Sequence, residues 1–230
     1  MSNSINCFPR VISFEGLPAS GKSTLIKSLI VFLESMELVV LEVDLEIVKE
    51  YPSLRKTLKE LGIGMHHPIR SIVFWGLRLI QDRKVISIIE SNKYDIIILN
   101  RFWGSTLAND LANNIPRWVL TWVGKLLKVK PDMTIFLDVP ISVILERKHA
   151  QSFEDMPFVE RIEKEFKKLA KKEGWIVVNG DHSPSVVLSD TTKAIASRFG
   201  VLRKKKLPGP PNLKLVGFQE IVSEDLKRVS

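Results

Sequence analysis

Gly16-Leu-Pro-Ala-Ser-Gly-Lys-Ser-Thr24 is the stretch on which the reading of this chain turns. It matches the phosphate-cradling pattern G-x-x-x-x-G-K-[ST] at every fixed position. Val11-Ile-Ser-Phe14 before it reads as a buried strand, and Leu25 to Leu33 after it as an apolar-striped helix. That strand–loop–helix context is what such a loop requires. Gly16 and Gly21 let the backbone curl through Leu17, Pro18, Ala19 and Ser20 with its N–H groups turned inward. The helix that begins near Lys22 aims its positive end at the same place. Lys22 would bring a cation to the β- and γ-phosphates, and Ser23, followed by Thr24, would offer a hydroxyl to Mg²⁺. Lys22 is expected to be partly solvent-facing. The stretch implies binding of a nucleoside triphosphate with its magnesium ion.

Outward from the loop, strands and helices alternate. Leu38 to Val43, Asp95 to Leu99, Met133 to Leu137 and Trp175 to Val178 read as further strands. Between the second and third lies a mostly helical stretch from about Glu46 to Ser91, broken near Gly62-Ile-Gly64 and His67-Pro68; a last helix runs from about Ser185 to Phe199. Strands separated by helices imply right-handed crossovers. The expected fold is therefore α/β, a five-stranded parallel sheet with helices on both faces. Ligands gather at the carboxyl ends of such strands, which here carry Gly16, Asp44, Asn100, Arg101, Asp138, Asn179 and Gly180. Residues 1–200 read as the catalytic domain and 201–230 as a basic, Pro-containing appendage. The appendage is richer in apolar residues than a disordered tail needs, with Leu213, Leu215, Val216, Phe218, Ile221, Val222 and Leu226. Truncation after Leu207 is expected to lower the melting temperature or dimer affinity while leaving the KM for ATP unchanged. Calorimetry, sedimentation and initial rates on the truncated chain check this; an altered choice of acceptor would place the appendage in the active site.

The 230 residues carry a formal net charge of +8, which raises the question of nucleic acid. Part of the excess is Arg203-Lys-Lys-Lys206, and part lies in Lys164 to Lys172, interleaved with Glu163, Glu165 and Glu173 as on a solvated helix face. No alternation of basic and aromatic residues offers bases a stacking platform, so dedicated nucleic-acid binding is not expected. The single cysteine, Cys7, gives no disulfide and suggests a reducing, cytoplasmic setting. No N-terminal apolar run suggests a signal peptide, and no segment reaches the roughly 18 apolar residues of a membrane span. Trp118 to Gly124 comes nearest, but Lys125 and Lys128 close it; its tryptophans suggest a core or subunit-contact face. His66 and His67 stand in a helix-start loop with no cysteine or carboxylate cluster around them in the sequence.

Several further motifs follow in order: Phe74-Trp-Gly-Leu-Arg78, Asn100-Arg-Phe102 with Ser105-Thr106, Pro131-Asp-Met-Thr-Ile-Phe-Leu-Asp-Val-Pro140, and Glu146-Arg147. With the phosphate loop, this order over about residues 10–200 resembles the thymidylate kinase family of P-loop nucleoside monophosphate kinases. The resemblance implies a P-loop NTPase fold, transfer of the γ-phosphate of ATP to dTMP with Mg²⁺, and a homodimer. By position, Phe74 matches the family aromatic that stacks on the acceptor base and Arg78 the arginine that hydrogen-bonds it; the i, i+4 spacing puts both on one helix face. Arg101 matches the arginine that grips transferring phosphate, a task its fork suits. Arg147 and Lys148 fall where the family lid closes over ATP and can neutralise charge on the γ-phosphoryl.

The departures bear on the acceptor. Asn100 stands where the family usually has Asp, removing a charge that helps hold Mg²⁺ and its waters. Asn100→Asp is thus expected to help at limiting Mg²⁺, unless Asp138 or Asp44 already fills that role. Pro18 replaces the loop acid that meets the acceptor's sugar, Glu42-Val-Asp-Leu-Glu46 replaces an arginine-bearing run, and Asn109-Asp110 replaces a Tyr-Gln pair. A hydroxyl acceptor, such as a deoxynucleoside, needs a carboxylate base, and Asp44 or Glu46 stands where one is kept; Asp44 is accordingly a candidate acceptor-side residue. A non-catalytic nucleotide-binding module is the third possibility.

Overall fold

A computed structural model describes residues 9–64, 66–147 and 155–200. Strands β1 (Arg10–Glu15), β2 (Val40–Asp44), β3 (Ile96–Asn100), β4 (Met133–Asp138) and β5 (Ile176–Asn179) form one sheet of order β2-β3-β1-β4-β5. Every pairing in it is parallel. The helices are α1 (Lys22–Ser35), α2 (Ile47–Glu50), α3 (Pro52–Glu60), α4 (Pro68–Glu90), α5 (Trp103–Ala112), α6 (Arg117–Gly124), α7 (Ile141–Arg147), α8 (Met156–Glu173) and α9 (Pro184–Phe199). The expected five parallel strands are all present, with ends moved by one or two residues. The 201–230 appendage lies outside the described residues.

The uniformly apolar β3 shows why helices cover both faces. Its residues alternate sides: Ile96 and Ile98 pack with Leu25, Leu29 and Leu33 of α1 and Ile195 of α9. Ile97 and Leu99 pack with Val85 of α4 and with Val11, Val43 and Leu45. Two buried acids fix the approach of the strands. Asp82 of α4 accepts from the backbone N–H groups of Lys128 and Val129 at 3.0 and 2.9 Å, tying that helix to the segment leading into β4. Glu15 at the end of β1 accepts from the Phe102 N–H at 2.9 Å and from the Ser105 hydroxyl, anchoring the start of α5.

Two of the helix starts follow their sequence signals. His67 caps α4, accepting from the Ile69 N–H, with Pro68 in the first turn. Asp155 caps α8, accepting from the Phe158 N–H at 2.9 Å, and Gly174 ends it in the left-handed conformation. The basic face of α8 is solvated and paired, Lys167 with Glu163 and Lys168 with Glu165. Trp118 and Trp122, by contrast, are 69% and 67% exposed, so they are not core; Leu120 and Val123 are the α6 residues that pack inward. Among the described residues no helix is long and apolar enough to cross a membrane.

Candidate active site

The phosphate loop joins the carboxyl end of β1 to the first turn of α1. Its turn needs glycine at Gly16, with φ 148°, because a Cβ there would lie 2.8 Å from the Leu137 carbonyl oxygen. Gly21, at φ 93°, enters the helix, and no side chain caps α1. The backbone N–H groups of its first turn therefore remain available to an anion. The Lys22 ammonium lies inside the loop, donating to the Gly16 and Leu17 carbonyls at 3.0 and 2.6 Å and to Ser20 Oγ at 3.0 Å. It is only 4% exposed, which corrects the expectation of a partly solvent-facing lysine. Burial pushes its pKa well below the ordinary value, the Arg101 charge adds to this, and Glu15 and Glu46 oppose it. A phosphate placed in the loop would restore preference for the charged form.

On the donor side, a cavity of about 290 Å³ is lined by Ser20, Gly21, Thr24, Arg147, Gly180 and His182, among others. Arg147 ends α7 and reaches across to donate to the Gly180 carbonyl at 2.8 Å and, at 3.5 Å, to that of Ser20. The structure thus sets this guanidinium against the phosphate loop. Lys148 lies outside the described residues.

On the other side of the loop, a second cavity of about 180 Å³ includes Pro18, Glu46, Phe74, Arg78, Arg101 and Thr106 in its wall. Phe74 and Arg78 share the α4 face turned to it, as their spacing predicts; the next residue, Trp75, is core. Arg78 is 2% exposed and is held by the Leu45 carbonyl at 3.1 Å, Gln81 Oε1 at 2.6 Å and Thr106 Oγ1 at 3.2 Å. Burial lowers its pKa to about 10, with Glu15 opposing and Arg101 adding to the effect, so it stays cationic at neutral pH. Its Nε has no protein partner.

Arg101 joins the phosphate loop to the wall of this second cavity. It sits at φ 65°, an unfavourable conformation for a side-chain-bearing residue, and its N–H donates to the Phe14 carbonyl at 3.0 Å. The turn carries the guanidinium back over the loop, where it donates to the Gly16 carbonyl at 3.1 Å and meets Glu46 at 3.7 Å. Asp44 does not reach this cavity: it accepts from the Glu46 N–H and from Lys49 at 2.9 Å. Glu46, two residues on, lines the wall instead.

Sequence reasoning missed three contributions. Arg70 stacks its guanidinium over Phe74, 4.6 Å from the ring centroid; its position four residues earlier on the helix was the available signal. Asp110 accepts from Ser71 at 2.7 Å and from the Trp75 indole at 2.6 Å, and burial raises its pKa against those bonds. Glu42, at mid-strand in β2, meets Asn100 at 3.1 Å, and the same amide reaches Ser23 Oγ at 3.4 Å. Asp138, the alternative carboxylate named from the sequence, pairs with Lys167 and lines a separate cavity near Trp175.

These features meet their counterparts in known proteins. A family model described as thymidylate kinase matches residues 14–190. The chain is 30% identical over 193 residues to a probable thymidylate kinase 1 of Saccharolobus solfataricus, covering 81% of this chain and 96% of the relative. It is 26% identical to a probable thymidylate kinase of Sulfurisphaera tokodaii, covering 82% and 97% respectively. Its fold is similar to the crystal structure of a thymidylate kinase from Ehrlichia chaffeensis, with a TM-score of 0.63 at 24% identity, covering 81% of this chain and 98% of that one. A phosphate loop with a cavity on each side, and the arginine after β3 laid against it, therefore stands in a chain that matches a family model from the first strand to the last helix: it belongs to the thymidylate kinase family.

Proposed function

We propose that this chain transfers the γ-phosphate of ATP to dTMP, giving dTDP and ADP. The observation that carries the proposal is the position of Arg101, whose guanidinium lies between the Gly16 carbonyl of the phosphate loop and the acceptor-side cavity of Phe74 and Arg78. ATP would enter on the Arg147 side, its phosphates received by the N–H groups at the start of α1 and by Lys22. The acceptor's base would meet Phe74, and its phosphate would face Arg101. A phosphate nucleophile is already anionic, so the site needs cations and alignment rather than a base. Arg101 and Arg147 would neutralise the acceptor and donor sides of the transferring group.

Mg²⁺ fits the residues present. Around Ser23 the possible ligands are hard oxygens, from a hydroxyl and a nearby carboxylate. The described residues hold no group of three or more His, Cys, Asp or Glu, which accords with an ion held mainly by water and nucleotide phosphates. The Ser23 hydroxyl would hold it. When bound, the ion would neutralise phosphate charge. A cytoplasmic homodimer is part of the same reading, supported by the family and by the exposed Trp118 and Trp122 of α6.

Glu46 favours a second reading. It is a carboxylate on the acceptor wall, where a neutral hydroxyl acceptor would need a base, although Arg101 and Lys49 both hold it, at 3.7 and 3.0 Å. A coupled ADP-release assay over nucleoside monophosphates and nucleosides decides between them. dTMP is expected to be the best acceptor; phosphorylation of thymidine without turnover of dTMP would replace this reading with the second.

A further inference from the structure

The amide of Asn100 is a fork with two fixed tines. One of its N–H bonds points to Glu42 Oε1 at 3.1 Å and the other to Ser23 Oγ at 3.4 Å. A carboxylate only accepts, so its presence sets which end of the amide is the NH₂ and which the oxygen. Asn100 is buried and ends β3, an inner strand paired on both sides, where it has little freedom to turn away.

The sheet register explains how Glu42 arrives there. Glu42 pairs with Ile98 and Asp44 with Asn100. Register partners in a parallel pair share a face, and Ile98 is on the α1 face. Glu42 therefore projects on the side of the sheet beneath the first turn of α1, the turn that carries Ser23. That face is otherwise lined by the leucines and isoleucines packed with α1, and the glutamate on it is half-buried. Among the described residues Glu42 forms no ion pair, and its one hydrogen bond comes from Asn100. The other carboxylates at the strand ends are engaged elsewhere: Asp44 with Lys49, Asp138 with Lys167, and Glu15 with Ser105 and the Phe102 N–H.

We infer that Glu42 is the carboxylate this chain directs at the Ser23-bound magnesium ion, with Asn100 as its positioning residue. The inference rests on the proposed use of Mg·ATP. The negative charge comes from β2 instead of from the end of β3, and an amide at position 100 is what makes that possible. An aspartate there would have no N–H to donate to Glu42 and would set a second, repelling carboxylate about 3 Å from the first, so Glu42 would lose the group that positions it. Asn100→Asp by itself is thus expected to give no gain at limiting metal, reversing the expectation from the sequence. Glu42→Gln with Asn100→Asp moves the charge across the same hydrogen bond and keeps its total.

The test measures Mn²⁺ binding to the intact chain with a non-hydrolysable β,γ-imido ATP analogue, from the free-ion signal in electron paramagnetic resonance. Affinity for the same analogue without metal is measured alongside. Glu42→Gln is expected to weaken Mn²⁺ by about tenfold or more, the range for loss of a supporting carboxylate at a metal. Metal-free affinity for the analogue should be unchanged or slightly tighter, which also shows that the variant is folded. The exchanged pair is expected to recover most of the lost Mn²⁺ affinity. Undiminished Mn²⁺ binding in Glu42→Gln would overturn the inference while leaving the kinase reading standing. A wild-type chain that binds neither the analogue nor its Mn²⁺ complex would overturn both.

Discussion

Lys22→Ala is expected to lower kcat for phosphoryl transfer by about a thousandfold, the scale for loss of one preorganised charge-stabilising donor. The lysine is not a surface group that swings in from solvent. Its ammonium is buried among the Gly16 and Leu17 carbonyls and Ser20 Oγ, already at the point where the phosphates of a bound nucleotide would need a cation. The fold should survive the loss. Because burial depresses the folded-state pKa below the ordinary 10.5, the unfolded chain binds this proton more tightly than the folded one. Between the depressed value and 10.5 stability therefore rises with pH, and below that window the charged lysine is a net cost. Lys22→Ala removes this titration, so its stability should depend less steeply on alkaline pH, while the loss of the donor to the Gly16 and Leu17 carbonyls offsets the relieved burial of charge at neutral pH. Thermal melts across that range, run beside steady-state rates, separate a catalytic role from a structural one. A variant within tenfold of wild-type turnover would mean that the loop does not serve the donor.

Arg101→Ala is expected to cost about 2–4 kcal/mol in kcat/KM for the acceptor, between roughly thirtyfold and a thousandfold. The guanidinium touches the phosphate loop at Gly16 and the acceptor wall at Glu46, so the loss should appear in kcat as well as in KM for the acceptor. Affinity for ATP should change little, since Arg147 and the start of α1 are untouched. Arg101→Lys keeps the charge but loses the planar fork and should recover only part of the rate. Alanine in place of Arg101 meets the same left-handed backbone, so the comparison is not confounded by relief of strain at that turn. Unchanged kcat/KM in Arg101→Ala would remove this residue from the reaction and with it the main support for a phosphate acceptor.

The acceptor pocket is built to be stiff. Arg78 is tied to Gln81 and the Leu45 carbonyl, and Gln81 in turn to Glu50, which also meets Lys84. This buried network joins α4 to the segment after β2, so the wall carrying Glu46 and the helix carrying Phe74 are set relative to each other before an acceptor binds. Burial makes each unmade bond in it expensive. The Arg78 fork thus holds the scaffold through its terminal nitrogens, while its buried Nε has no partner among the described residues.

The sequence by itself determined the alternation of strands and helices, the phosphate loop and the i, i+4 pair Phe74 and Arg78. These are local properties: apolar runs of strand length, glycines where the backbone must turn, and a helix period that repeats within one element. It also identified Arg101 as an arginine at the end of a buried strand, where only an anion would suit it. Only the tertiary structure decided which acids serve the site. Asp44 and Glu42 stand on one strand two residues apart, alike in every local respect. The β2–β3 register sets Asp44 opposite Asn100 and Glu42 opposite Ile98, yet Lys49 in the next helix takes Asp44, and the Asn100 amide donates to Glu42 instead. The burial of Lys22 was hidden for the same reason, since its surroundings come from a loop folded back on itself and from Arg101 and Glu46 brought in from other strands. Pairings between distant segments are not written in the composition of either one; they arise when the sheet closes and each charge takes the partner that the register leaves within reach.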